Sequence, residues 1–384
     1  MRLPLSTDDL ALFFEPHHHA LAARLRDLFA AGSPAFTSPE DPVIVAREMG
    51  EPLGLYKHLV PDAGKPIDIR SLVLIREALG QVSAMADSIF AVQGLGSYPV
   101  VLAGTPAQRE ALLPGVVTGS RIGAFALTEP EAGSDVASLR TTARKDGDHW
   151  LLDGEKTLIS NVPIAHHHVV FANADPSLGR KGITAFLVER GTPGLETRPI
   201  PMSAPHPIGR LLLRGCKVPD SARIGDVGRG FGLAMATLDA FRISVGAAAC
   251  GMATRALTLA TAHVQARSQF GKPLSEQQMV QAMLADMATE LDASRLLVLR
   301  AAHKKDTTQD RAGTEVAMAK MFATEAAQRI IDRAVQLHGG SGVTLETEVE
   351  HLYREIRPLR IYEGTTEIQK LIIARALLTP DRES

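Results

Sequence analysis

The stretch from Ile122 to Asp135 reads IGAFALTEPEAGSD. Its first half, Ile122 to Leu127, is a β-prone run. Its second half is a loop with two hydroxyls (Thr128, Ser134), a permissive Gly133 and exposed backbone N–H groups, a cradle suited to polar ring edges and phosphate. The stretch also marks a change of texture. Upstream, from Leu10 to about Ser120, the reading is helical, punctuated at Gly32-Ser33-Pro34, Pro52 and Pro61 to Pro66. There the apolar spacing of Ile69 to Val92 predicts one buried helix or a helix pair, and Thr105-Pro106 reads as an N-cap with proline at the first helical position.

Downstream the β-prone runs continue: Leu139 to Ala143, His149 to Ile159, Val169 to Ala172, Ile183 to Val188 and Arg210 to Leu213. Turn signals at Asp146-Gly147 and Asp153-Gly154 separate them, and no long helix intervenes, which predicts an antiparallel β domain. After Gly228 to Gly232, read as a linker turn, the chain returns to helix. Phe241 to Ser268 is rich in Ala and Met, and a loop follows from Gln269 to Leu274. Ser275 to Gln278 reads as a capping box, and Val280, Met283, Leu284, Met287 and Leu291 form a core-facing stripe. Two more helices are expected, Thr314 to His338 ending at Gly339-Gly340, and Thr366 to Leu378 before Pro380. The class is α+β, with a helical domain over 1–120, a β domain over 121–228 and a helical bundle over 229–384.

Composition narrows the function. The 384 residues are 45% hydrophobic and 22% charged with a net charge of -2, which excludes a disordered chain and argues against nucleic acid or an anionic membrane as partner. Cys216 and Cys250 are the only cysteines, so a reducing compartment is expected. No apolar segment is read as approaching the length of a membrane span, the N-terminal stretch has no signal-peptide pattern, and the expected location is the cytoplasm.

The loop Leu127–Asp135 has company. Further along stand Gly154-Glu155-Lys156-Thr157-Leu158-Ile159-Ser160-Asn161, Arg267-Ser268-Gln269-Phe270-Gly271, Gln336-Leu337-His338-Gly339-Gly340-Ser341-Gly342 and Ile361-Tyr362-Glu363-Gly364-Thr365. In the last of these a carboxylate sits between an aromatic and a glycine just before a helix. Apolar neighbours would raise its pKa toward the range useful for proton transfer, and Gly364 permits a sharp turn or close ligand approach. With these five ordered motifs the chain, from about Gly104 onward, resembles the acyl-CoA dehydrogenases, FAD-dependent flavoproteins that desaturate acyl thioesters between the α and β carbons.

That resemblance implies an N-terminal helical domain, a middle antiparallel β domain and a C-terminal four-helix bundle. It also implies site residues. Phe125, Leu127 and Thr128 would meet the flavin edge together with Leu158 and Ile159, and Ser160 would bond near the nitrogen that accepts hydride. Ser134 would lie near both flavin and thioester. Arg267, Gln269 and Phe270, with Leu274, Gln277, Gln336, Leu337, Gly339 and Gly340, would reach an FAD held by a neighbouring subunit, and Thr365 and Glu367 would close over the cofactor. Glu363 takes the position of the general base, its backbone N–H helping to hold the thioester carbonyl as in an oxyanion hole. Asp239, Arg242, Tyr362, Gly364 and Arg375 would line the substrate end. The partners implied are an acyl-CoA, an electron-transferring flavoprotein and further copies of the chain, a dimer at least and usually a tetramer. Alternatives of the same fold are a flavin oxidase or monooxygenase and a dehydrogenase of carrier-protein-bound thioesters; Glu363 favours the dehydrogenase.

The chain departs from the family pattern in places. Leu158 stands where many members place an aromatic against the flavin, and Val343 replaces a commonly aromatic residue. Phe241 fills the place where some branches carry an alternative glutamate base, and its bulk favours a short, branched or cyclic acyl group. Other features invite a plainer reading. His17-His18-His19 and His166-His167-His168 are not read as metal sites, because consecutive histidines on a strand face opposite ways. Cys250 and the methionines 279, 283 and 287 read as packing residues.

Overall fold

The computed structural model describes residues 7–30, 36, 40–62, 65–308 and 312–379. The expected breaks at Gly32-Ser33-Pro34 and at Pro380 lie outside them. The chain forms two compact units, one built from Met1–Ser33, Asp68–Asp87 and Arg242–Ser384, the other from Pro34–Ile67 and Ser88–Phe241.

The first unit is helical. Its helices Pro16–Ala30, Ile69–Val82, Gln278–Thr307, Gly313–His338, Glu348–Ile356 and Thr366–Leu378 accompany the part of Gly230–Ala266 that begins at Arg242. Asp68 caps the second of these through the Ser71 N–H at 3.0 Å. Ser83, extended at φ -160° and ψ 113°, ends it, so the run from Ile69 onward is a helix pair. Small residues let helices approach closely: a Cβ on Gly80 would lie 2.5 Å from Ala248 O, and one on Gly251 2.2 Å from Glu77 O. The long helix starts at Gly230, so Gly230 and Gly232 belong to its first turn and not to a linker. By length and composition Gly230–Ala266 could cross a membrane, which corrects the sequence reading; 67% of its most apolar window is buried inside the protein, as in a core helix. The capping box at Ser275 does not form, because a 3-10 turn occupies Leu274–Glu276 and the helix begins at Gln278. Of the stripe behind it, Met287 and Leu291 are buried, while Val280, Met283 and Leu284 are only half-covered within one chain.

The second unit is a mainly antiparallel sheet with helices on one face. Its strands are β1 (Gly123–Ala126), β2 (Thr142–Asp146), β3 (His149–Ser160), β4 (His167–Asn173), β5 (Ile183–Glu189), β6 (Leu195–Pro199), β7 (Ile208–Pro219) and β8 (Arg223–Ile224). The order is β6-β7-β3-β2-β4-β5-β8; β1 lies parallel to β4, and β2 touches β4 in parallel at one pair. Runs as short as β6 and β8 carry too little pattern to be read from sequence. Strand β4 is buried along its whole length. Val170 and Ala172 join a core with Trp150, Phe186 and Leu213. Val169 and Phe171 join a second core with Leu112, Val116 and Leu233 from the covering helices. Thr105 caps the helix Pro106–Thr118 in a full capping box with Gln108, and Gly119 at φ 77° ends it.

Candidate active site

Thr365 caps the last helix through the Ile368 N–H at 3.3 Å. Just before the cap the chain takes two left-handed residues in succession, Glu363 at φ 53° and Gly364 at φ 92°. Glycine adopts such a φ freely; glutamate does so at a cost, and the surroundings must hold it there. Arg242 Nε donates to Glu363 O at 2.9 Å, and Lys320 Nζ and Gln369 Nε2 donate to Gly364 O at 2.8 and 2.9 Å. Glu325 steadies both flanks, accepting from Arg360 Nε at 2.9 Å and Thr366 Oγ1 at 2.7 Å.

The Glu363 residue is partly accessible, but its Oε2 is buried and has no hydrogen-bond partner. Its backbone N–H finds no acceptor among the described residues. Burial raises the carboxyl pKa, opposed by the charges of Arg76, Arg242 and Lys320 and assisted by Asp87. Arg76 is fully buried and grips Asp87 through Nε and Nη2, both at 2.8 Å, while Nη1 donates to Ser244 Oγ at 3.0 Å. Burial pushes the Asp87 carboxyl up against the pull of Arg76. Burial likewise brings Lys320 down to about 8 and drives the Tyr362 phenol well above its ordinary value. The result is a carboxylate of raised proton affinity among fixed cations.

In the second unit the loop after β1 is pinned from within. Glu129 and Lys156 are buried, with Lys156 Nζ 2.7 Å from Glu129 Oε1 and 3.2 Å from Leu127 O. The Arg140 and Thr141 N–H groups donate to the same carboxylate at 2.5 and 3.0 Å, and Thr157 N–H donates to Thr128 O at 3.0 Å. Burial would raise the Glu129 pKa, but Lys156 and these bonds hold it below the usual carboxylate value; burial lowers Lys156 to about 8. The β3–β7 register slips between Lys156 and Ile159, and Leu158, at φ 55°, is turned outward and 55% exposed. Ser160 Oγ lies 2.9 Å from His206 Nε2, which also meets Ser88 Oγ at 3.2 Å; desolvation pushes this imidazole down to about 4, so it is neutral at pH 7. Phe125 and Thr128 are half-buried, Leu127 and Ile159 buried, Ser134 exposed and Asp239 half-buried. Phe241 is fully buried, edge-on to Tyr98 at 5.7 Å, and a Cβ on Gly94 would meet its ring at 2.2 Å.

The remaining predicted residues lie in the helical unit. Ser268–Gln269 and Lys272–Pro273 form a hairpin whose two turn residues, Phe270 and Gly271, are left-handed at φ 53° and 78°. Phe270 is 95% exposed. Arg267, Gln269, Gln336, Gly339 and Gly340 are exposed, Leu274 and Gln277 half-buried, and Leu337 buried. Thr365 is half-buried beside Glu363, Glu367 is exposed, and Arg375 is exposed on the last helix, with no side-chain hydrogen bond or ion pair to the Glu363 cluster among the described residues.

The histidine runs need one correction. His17 and His18 sit in the first turn of a helix, not on a strand, and both converge on Asp68, with Nε2 atoms 3.0 and 3.1 Å from its carboxylate. His18 Nδ1 accepts the Glu15 N–H at 3.0 Å, so its proton resides on Nε2, the atom a metal would need free. His166, His167 and His168 each bond a backbone group, of Ile122, Gly96 and Val188 respectively.

Three models of one family match the chain: acyl-CoA dehydrogenase N-terminal domain over residues 16–120, middle domain over 124–215 and C-terminal domain over 228–378. The chain belongs to the acyl-CoA dehydrogenase family. Its members are oxidoreductases acting on CH–CH bonds, and they use FAD. Among its relatives are the cyclohex-1-ene-1-carbonyl-CoA dehydrogenase of Syntrophus aciditrophicus, 38% identical over 348 residues (87% of this chain, 82% of that one), and the caffeyl-CoA reductase-Etf complex subunit CarC of Acetobacterium woodii, 39% identical over 319 residues (81% and 83%). A glutaryl-CoA dehydrogenase from Mycobacterium smegmatis, solved in complex with FADH2, superimposes with a TM-score of 0.87 at 29% identity, covering 98% of each chain.

The residues present in this family member fit FAD. Thr128 has a hydroxyl that bonds to no described residue, exposed Leu158 offers apolar surface suited to a planar ring, and nothing lies within 4 Å of a Cβ built on Gly133, Gly339 or Gly340. Sequence reasoning missed Arg76, Asp87, Lys320, Glu129, Lys156 and His206. A faint signal existed for Arg76, a charge inside the apolar run from Ile69. None existed for Lys320, whose neighbours on its helix announce only a buried face.

Proposed function

We propose that this chain catalyses FAD-dependent α,β-dehydrogenation of an acyl-CoA thioester, with Glu363 as the base that takes the α-proton. The observation that carries this reading is the buried, unpartnered Oε2 of Glu363 among Arg76, Arg242 and Lys320. Burial raises the proton affinity of the carboxylate, and the cations around it offset the charge that accumulates as the α-carbon loses its proton. The free Glu363 N–H is a donor for the thioester carbonyl. Bound FAD supplies the acceptor for the hydride that leaves the β-carbon. Phe125, Leu127, Thr128, Ser134, Leu158, Ile159 and Ser160 would hold the flavin. Arg267, Gln269, Phe270, Leu274, Gln277, Gln336, Leu337, Gly339, Gly340, Thr365 and Glu367 would hold the rest of the cofactor, in part across a subunit boundary. Ser134, Asp239, Arg242, Tyr362, Gly364 and Arg375 would contact the acyl-CoA.

Buried Phe241 supports a short, branched or cyclic acyl group. The half-covered stripe Val280, Met283, Leu284 and the exposed Phe270 support a homo-oligomer, taken as a tetramer. We assign the domains to 1–120, 121–228 and 229–384, the electron acceptor to an electron-transferring flavoprotein, a reading helped by the Etf-linked relative, and the location to the cytoplasm, in keeping with two free buried cysteines. The test is anaerobic titration of the yellow protein with short, branched and cyclic acyl-CoAs. At least one should bleach the flavin, and Glu363→Gln should keep FAD and lose the bleaching. Bleaching retained in the Gln variant would remove Glu363 as the base, and a flavin that no thioester bleaches would sink the dehydrogenase reading.

A further inference from the structure

Lys320 is buried in the helix Gly313–His338 with no exposed surface, and no carboxylate among the described residues lies within ion-pairing distance of it. Its one side-chain hydrogen bond goes to a neutral acceptor, Gly364 O at 2.8 Å. A buried ammonium without a paired carboxylate is costly, and a carbonyl alone does not offset that cost. Gln369 Nε2 already bonds the same carbonyl at 2.9 Å, so the carbonyl would be satisfied without a charge. What the ammonium adds is a cation next to the two left-handed residues that present the Glu363 carboxylate.

We propose that Lys320 is a positioning residue for the base: it locks the Glu363–Gly364 turn through the Gly364 carbonyl and keeps a positive charge beside the Glu363 carboxylate. The inference rests on Glu363 being the base. Arg242 acts on the neighbouring carbonyl of the same turn, so the two cations hold consecutive peptide units. The groups that face the carboxylate are Arg76 and Asp87, Arg242, Lys320 and the Tyr362 phenol; those that face Lys320 are Glu363, Arg242, Glu325 and Glu367. Of these, Lys320 is the buried cation bonded to no carboxylate among the described residues, and Glu363 is the acidic group that acts on it most strongly.

The experiment measures kcat and KM against pH for the holoenzyme with whichever acyl-CoA bleaches the flavin fastest, in the wild type and in Lys320→Gln, Lys320→Met and Lys320→Arg. Gln keeps a donor but no charge, so the acidic limb of kcat should move up by about one pH unit, with kcat on that limb down about tenfold and KM changed by less than about threefold. Met should show the same shift with a further loss from the loosened turn, and Arg should restore the limb to its wild-type place. If Met fails to fold, Gln and Arg carry the comparison. A wild-type limb in Lys320→Gln overturns the proposal, as does a displaced limb in Lys320→Arg equal to that of Gln. Glu363→Gln is run alongside: turnover surviving there refutes the base, whereas a dead Glu363→Gln beside an unmoved Lys320→Gln refutes only the role of Lys320.

Discussion

Replacing Glu129 by Gln tests whether the buried pair with Lys156 holds the loop 127–134. Lys156 already sits at about 8, so it remains largely charged at pH 7 in the wild type. Without the carboxylate burial pushes its pKa further down, and neutralising the amine at pH 7 caps the electrostatic cost at roughly 1 kcal/mol, the one unit between about 8 and 7. A second cost arises from the backbone. The Arg140 and Thr141 N–H groups each use a different carboxylate oxygen, and Gln can offer an acceptor to only one, leaving a part-buried donor unsatisfied at about 1–3 kcal/mol. The expected loss is therefore about 2–4 kcal/mol, in line with the ~3–5 kcal/mol typical of breaking a buried pair. Urea unfolding at fixed FAD concentration, followed by far-ultraviolet circular dichroism and flavin fluorescence, measures it, and FAD should dissociate more readily. The pH dependence adds a sign. Since the folded pKa of Lys156 lies below the unfolded one, the unfolded chain binds more protons between about 8 and 10.5, and stability from this group rises with pH across that window. In the variant the rise should begin at a lower pH than in the wild type. A loss under about 1 kcal/mol, or an unchanged onset, would refute the reasoning.

Two further variants probe the helical unit. Gly251→Ala places a Cβ 2.2 Å from Glu77 O, a backbone atom that cannot step aside, so a net loss of about 1–2 kcal/mol is expected after the ~1 kcal/mol gain in helix propensity; a raised melting temperature would show that the helices are free to separate. Asp87→Asn removes a carboxylate that raises the Glu363 pKa and leaves Arg76 uncompensated. The acidic limb of kcat should then move to lower pH, opposite to Lys320→Gln, and an upward shift would contradict the charge arrangement around Glu363.

Much of the fold is legible in the chain because its signals are local. Thr105 and Gln108 cap a helix three residues apart, and Thr365 caps the last helix on its own next turn. The strand runs around Asp146-Gly147 and Asp153-Gly154 declare themselves within a few residues. Locality also misleads. Ser275 has the spacing of a capping box, yet the turn at Leu274–Glu276 takes its place, and His17 and His18 meet at Asp68 because they ride on a helix.

For the site, the order of residues alone shows which segment carries Glu363, that a glycine follows it, and that a hydroxyl-bearing loop follows the first strand. The chemistry around them arises only when the chain packs. Lys156 and Glu129 lie 27 residues apart, Lys320 and Gly364 lie 44 apart, and Arg76 reaches Ser244 across 168. No local pattern encodes such pairs, since each charge looks like a solvated one until packing removes its water. Desolvation then makes every partner matter: it raises the proton affinity of Glu363, lowers that of Lys320 and Lys156, and leaves the cations around the carboxylate to set how readily it takes a proton.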